Sequence, residues 1–135
     1  MAPPCPTCYG QPKKPCSSRN LGGAENAFLE SPAFSPELKE VVRRALAFRN
    51  GCPYCMAKGA PSENPADPNV RAAVRAARAL ADGGADEEVF DQLKQAFSGQ
   101  EISELLAYIC FITACQKFGA FLDLRPVCDL RDRRP

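Results

Sequence analysis

The chain has 135 residues, enough for one hydrophobic core and too few for two. Its 17 basic and 16 acidic residues leave a formal net charge of +1, so no field strong enough to hold nucleic acid or an anionic membrane is expected. Eight cysteines stand against no histidine, which excludes imidazole bases, Ser-His-Asp triads and histidine-ligated metals within one chain and leaves carboxylate, lysine or tyrosine as the base.

Residues 1 to 22 are crowded with proline, include Gly10 and Gly22, and carry no helical or alternating pattern. They read as an irregular arm that holds Cys5, Cys8 and Cys16, ahead of a single helical domain over residues 23–135. The arm lacks the unbroken apolar run of a secretory signal, so an unexported, cytoplasmic protein is expected. Gly23 to Glu30 suits a short helix, after which Ser31-Pro32 and Ser35-Pro36 punctuate the chain.

Ser35 is an N-cap with Pro36 at the first helical position. Leu38, Val41, Val42, Ala45, Leu46 and Phe48 then recur at helical spacing until Asn50-Gly51 stops the run. Pro53 opens another helix reaching toward Ala60, which puts Cys52-Pro53-Tyr54-Cys55 at a helix N-terminus. A loop over 61–68 leads into an alanine- and arginine-rich helix from Val70 to Ala81, ended by Gly83-Gly84. Asp86 caps a helix with Val89, Phe90, Leu93 and Phe97 on one face. Ser98-Gly99-Gln100-Glu101 is a capping box for a long apolar helix from Ile102 to about Leu122, closed by Arg125-Pro126. Gln116 and Lys117 interrupt that run and Glu101 and Glu104 precede it, so a buried helix is expected rather than a membrane span. No strand survives, and the fold class is all-α.

The cysteines carry the chemistry. A cytosolic chain is kept reduced and seldom holds eight thiols for structure alone. Cys52 and Cys55, three apart at a helix start, lie on one face within disulfide reach, and the unpaired N–H groups there favour thiolate. The same CxxC also suits a structural pair or half of a zinc site.

The stretch Glu40-x11-Cys52-Pro53-Tyr54-Cys55, with a helix behind the glutamate and Asn-Gly just before the first cysteine, resembles the signature of the alkylhydroperoxidase-D (carboxymuconolactone decarboxylase-like) family. Phe90 to Pro126, with its Ser-Gly-Gln-Glu cap and its ending Phe118-Gly119-Ala120-Phe121-Leu122-Asp123-Leu124, is similar to the single-domain branch, and the resemblance covers roughly residues 36 to 126. It implies an all-helical bundle assembled as a homotrimer or homohexamer. It also implies a dithiol that reduces a peroxide or disulfide substrate at the expense of a thiol electron donor, with Cys52 and Cys55 cycling and Glu40 relaying a proton. The family pattern places a histidine four residues after the second cysteine, where this chain has Gly59.

Which sulfur attacks stays open: position at a helix terminus favours Cys52, whereas the resemblance assigns the outward role to Cys55. Lys58 either turns toward the thiols or stays solvated, Tyr54 either donates a hydrogen bond or packs, and Glu40 is alternatively a surface carboxylate beside Arg43 and Arg44. Cys110 and Cys115 lie in the apolar helix and are expected as small buried hydrophobes. No cofactor is expected. The weaker alternative is zinc on Cys5, Cys8 and Cys16, with Cys128 or a neighbouring subunit's cysteine as fourth ligand. Three readings follow: a thiol-disulfide oxidoreductase with peroxidase activity; a non-enzymatic metal-binding or thiol-sensing protein whose site has degenerated at Gly59; and carboxymuconolactone-type ring chemistry, which needs no dithiol.

Overall fold

The computed structural model describes residues 19–84 and 86–125. Among them the chain forms six α-helices and no strand: α1 Arg19–Glu30, α2 Pro36–Asn50, α3 Pro53–Met56, α4 Pro68–Ala81, α5 Glu87–Ala96 and α6 Gly99–Phe121. The all-helical class read from the sequence is what the structure has. Helix α1 starts at Arg19, inside the stretch assigned to the irregular arm, and takes Gly22 and Gly23 into its second turn.

The boundaries follow from local chemistry. Ser35 Oγ accepts the Leu38 N–H at the head of α2, and the helix ends at Gly51 in the left-handed region, at φ 67°, where a glycine carries no Cβ penalty. Asp67 caps α4 through the Asn69 N–H, and Asp86 caps α5 through the N–H groups of Glu88 and Val89. At α6 both halves of the capping box form: Ser98 Oγ accepts from Glu101 N–H, and a Glu101 carboxylate oxygen accepts from Ser98 N–H at 2.8 Å.

Helices α2, α4 and α6 enclose the core. Val42 and Leu46 of α2, Ala73 and Ala77 of α4, and Leu105 and Ile109 of α6 are completely or almost completely buried, and Leu93 of α5 closes one end. The alanines of α4 let its backbone approach α2 closely, which explains a helix so rich in them. Phe28 of α1 stacks against Tyr108 and Phe111 of α6 and covers another edge.

Polar groups inside this core tie α2 to α6 at three levels. The Tyr108 hydroxyl donates to the Lys39 carbonyl at 3.0 Å. Gln116 Nε2 donates to the Arg43 carbonyl at 3.0 Å, and Asn50 Nδ2 donates to Gln116 Oε1 at 2.9 Å. Lys39 is itself buried and donates through Nζ to the carbonyls of Leu29 and Ser31, where a cation complements the C-terminal end of α1.

Two expectations are corrected. Helix α6 is long and apolar enough to cross a membrane by length and composition, yet it is buried on one face only, with a third of its most apolar window inside the protein. Ile102, Leu105, Ile109, Ile112, Gln116 and Gly119 face inward, while Ala107, Cys110, Ala114, Phe118 and Phe121 are exposed. Cys110 is therefore on the surface and Cys115 half-buried, neither a fully buried hydrophobe. On α5, Val89 and Leu93 are buried and Phe97 packs edge-on against Phe34, but Phe90 is exposed with Lys94 Nζ 5.1 Å from its ring centre.

Replacing Gln116 by leucine keeps most of the volume but leaves the Asn50 amide without its partner and strips the Arg43 carbonyl of its bond to α6. The expected loss is about 2 kcal/mol, read as a lower denaturation midpoint with an unchanged slope in urea.

Candidate active site

The two cysteines expected to react are neighbours and both are free thiols. The backbone places them: the Ala47 carbonyl at the end of α2 accepts the N–H groups of both Gly51 and Cys52, so the chain turns tightly out of α2 and straight into α3. Cys52 is the N-cap of α3. Its Sγ accepts the Cys55 N–H at 3.4 Å, and its carbonyl accepts the Met56 N–H at 2.9 Å.

Helix α3 is a single turn, shorter than the run toward Ala60 that the sequence suggests. Its aligned dipoles are few, so the Cys55 N–H on the sulfur matters more for Cys52 than any macrodipole. The turn ends through Gly59, whose N–H donates to the Met56 carbonyl at 2.9 Å with φ at 88°. That conformation, which side-chain-bearing residues rarely adopt, occupies the position where the family pattern has histidine. The departure is thus built into the backbone: a histidine there would be strained even though open space surrounds the site.

The two sulfurs differ in access. Cys52 is 2% exposed and Cys55 half-buried. Cys52 sits against α6, where a Cβ on Gly119 would come within 3.1 Å of its Sγ. Gly119 is buried and donates nothing of its own; what it supplies is the absence of a methyl, which makes room for the sulfur. The residues after α6 then fold over the same place, as the Leu124 N–H donates to the Gly119 carbonyl at 2.9 Å and the Tyr54 N–H to the Leu124 carbonyl at 3.0 Å. The Tyr54 side chain is half exposed and stands outside the core.

Burial, the hydrogen bond to the Cys52 sulfur and that sulfur's charge push the Cys55 thiol up to about 12. Arg43 and Lys58 pull the other way. Cys55 therefore keeps its proton well above neutral pH.

Glu40 lies two turns back along α2. Arg43 donates to both of its oxygens at 2.8 to 3.0 Å, and Arg44 Nε donates to Oε1 at 2.9 Å. Partial burial works to raise its pKa, but the hydrogen bonds from Arg43 and Arg44 and the charges of Arg43 and Lys58 outweigh it and hold the carboxyl below its ordinary value. Arg43 and Lys58 act on both Glu40 and Cys55, so the glutamate and the dithiol share one electrostatic neighbourhood. The carboxylate also makes the i,i+3 and i,i+4 ion pairs that its sequence neighbours allow. Lys58 is exposed on the turn after Cys55.

Cys5, Cys8, Cys16 and Cys128, the residues of the zinc alternative, lie outside the described residues. Among the described residues no group of three or more cysteines, aspartates or glutamates is placed to hold a metal ion. Gln116 and Gly119 are the site residues that sequence reasoning missed: one looked like an interruption in an apolar run, the other like one more small residue. Compared with models of known protein families the chain matches none, and no curated protein is significantly similar to it.

Because Cys55 ionises at about 12 in the folded protein against an ordinary 9.0, the native state holds its proton more tightly than the unfolded chain does. Tyr108, pushed by burial from 10.0 up to about 12, behaves the same way. Their contribution is fully present below pH 9 and is lost as pH rises through 12. Melting temperature should fall across that window, and less steeply in Cys52→Ser, where removal of the neighbouring sulfur's charge lowers the Cys55 pKa; thiolate ultraviolet absorbance followed against pH checks the shift directly.

Proposed function

We propose that this protein is a thiol-disulfide oxidoreductase of the alkylhydroperoxidase-D type, working through Cys52 and Cys55 and able to reduce peroxides. The single observation that carries the reading is the pair itself: two neighbouring thiols, joined by the Cys55 N–H on the Cys52 sulfur, one seated in the core and one within reach of solvent. A dithiol so divided has an outer sulfur to meet a substrate and an inner one to resolve the intermediate.

With a disulfide substrate, the Cys55 thiolate attacks one sulfur, the substrate S–S bond breaks, and one thiolate leaves. Cys52 then attacks the Cys55 sulfur, expels the second substrate thiolate and closes the internal disulfide. The two thiol protons leave on the two product thiols, and the protein has lost two electrons. With a hydroperoxide, the Cys55 thiolate attacks oxygen, the O–O bond breaks and an alcohol departs, leaving a sulfenic acid; Cys52 displaces its oxygen as water. A dithiol donor returns the protein to its reduced form by the reverse exchange.

Burial holds the proton on Cys55, and the charges of Arg43 and Lys58 favour the thiolate that attacks. Glu40 belongs to the site as the carboxylate that receives protons at the edge of this cluster. Its two arginine partners keep it ionised, which makes it a weak base suited to passing a proton on rather than holding it.

The exposed side of α6 supports a homo-oligomer, a trimer or hexamer as in the family it resembles. Phe118 is 53% and Phe121 89% exposed, in line with Ala107 and Ala114 on a helix about 34 Å long. Light scattering after gel filtration should return a multiple of the 14.6 kDa chain mass, and Phe121→Glu should lower it.

The catalytic reading is tested with purified protein, a hydroperoxide and a small disulfide. Wild type should lose two hydrogens by mass as the Cys52–Cys55 bond closes. Cys52→Ser should stall at a mixed disulfide or sulfenic acid on Cys55, and Cys55→Ser should be at least 100-fold slower with both oxidants. Wild-type rates in both variants would remove these cysteines from the mechanism.

A further inference from the structure

The charged groups around the dithiol do more than adjust its ionisation. On α2, positions 40, 43, 44 and 47 occupy one face at helical spacing, and the Ala47 carbonyl anchors the N–H of Cys52. Glu40, Arg43 and Arg44 are thus the turns of α2 that lead up to the sulfurs. Arg43 reaches Cys55 with its charge, and Arg43 and Arg44 meet on the single carboxylate of Glu40.

One carboxylate does not exhaust two guanidinium groups. Arg44 uses only Nε on Glu40, and its two terminal nitrogens have no protein partner among the described residues; Arg43 uses Nε and Nη2 and leaves Nη1. The Arg44 side chain is about a third exposed, so its open fork faces solvent while Glu40 fixes its orientation. A guanidinium held at Nε and free at both Nη atoms is arranged to take a second carboxylate in the fork. Formal charge agrees: Glu40 at −1 with Arg43 and Arg44 at +1 each leaves +1 on this face of α2, and the charge of Arg43 reaches Cys55.

We propose that Arg44, oriented by Glu40 and backed by Arg43, is a specificity-determining residue that binds a carboxylate of the oxidising substrate, so that the dithiol prefers acidic disulfides over neutral and cationic ones. The inference rests on the dithiol reading above and adds the substrate class to it. The reaction is the exchange already described, two electrons passing from the Cys52–Cys55 dithiol to the substrate disulfide. The leaving thiolate carries the carboxylate away from the arginines, and a dithiol donor restores the protein.

The test measures the second-order rate of internal disulfide formation in reduced full-length protein with three small disulfides: dithiodipropionate, which is anionic, bis(hydroxyethyl) disulfide, which is neutral, and cystamine, which is cationic. The order should follow that sequence, with the anionic disulfide about tenfold faster than the neutral one at low salt and the advantage shrinking as salt is added. Arg44→Gln should collapse the anionic-to-neutral ratio toward one, and Arg44→Lys, which keeps the charge but not the fork, should restore part of it. Far-ultraviolet circular dichroism of both variants should match wild type. Equal rates with all three disulfides, or an unchanged ratio in folded Arg44→Gln, overturn the substrate assignment and leave the dithiol reading standing. No reaction with any of the three or with a hydroperoxide overturns the dithiol reading, and the substrate assignment with it.

Discussion

The amide of Gln116 holds the site together. It is almost fully buried in the middle of an otherwise apolar helix, and such a group is tolerated only when both of its ends are satisfied. One end receives Asn50, the last residue of α2, and the other donates to the carbonyl of Arg43, two turns earlier on the same helix. Because these partners bracket the second half of α2, the amide fixes how far α6 slides along α2. With that register set, Gly119 falls opposite Cys52, one turn beyond Gln116, and Arg43 faces the dithiol. A shift of one residue would put a side chain against the sulfur and leave two buried polar groups unpaired.

Much of this architecture is legible from short-range signals. Ser35-Pro36, Asp86 and Ser98 each mark a helix start by a local hydrogen bond, and Asn50-Gly51 marks an end by a backbone conformation that favours glycine, whereas the start of α4 at Asp67-Pro68 was read as loop. These need no knowledge of the rest of the chain. The orientation of α6 was not legible, because apolar residues run around most of its circumference and periodicity then names no inward face. For the same reason Cys110 and Cys115 were wrongly expected to be buried, and Gln116 read as a break in an apolar run. The pairing of Cys52 with Cys55 was visible in their spacing. The difference in their burial depends on α6, some sixty residues away, and was not.

Electrostatics divides the site into an inner and an outer part. Inside, burial and the neighbouring sulfur discourage a charge on Cys55. Outside, Glu40 neutralises only part of the charge that Arg43 and Arg44 bring to this face of α2. The left-handed turn at Gly59 belongs to the same division, since it leaves this position of the outer part without a side chain.

A glycine within a helix is ordinarily an invitation to engineers, since alanine in its place gains about 1 kcal/mol of helix propensity. Position 119 reverses that rule. The methyl that would stiffen α6 would stand 3.1 Å from the Cys52 sulfur, so a thermostability screen would be drawn to the substitution that crowds this thiol. Helix propensity and room for a sulfur compete here for the volume of one carbon atom.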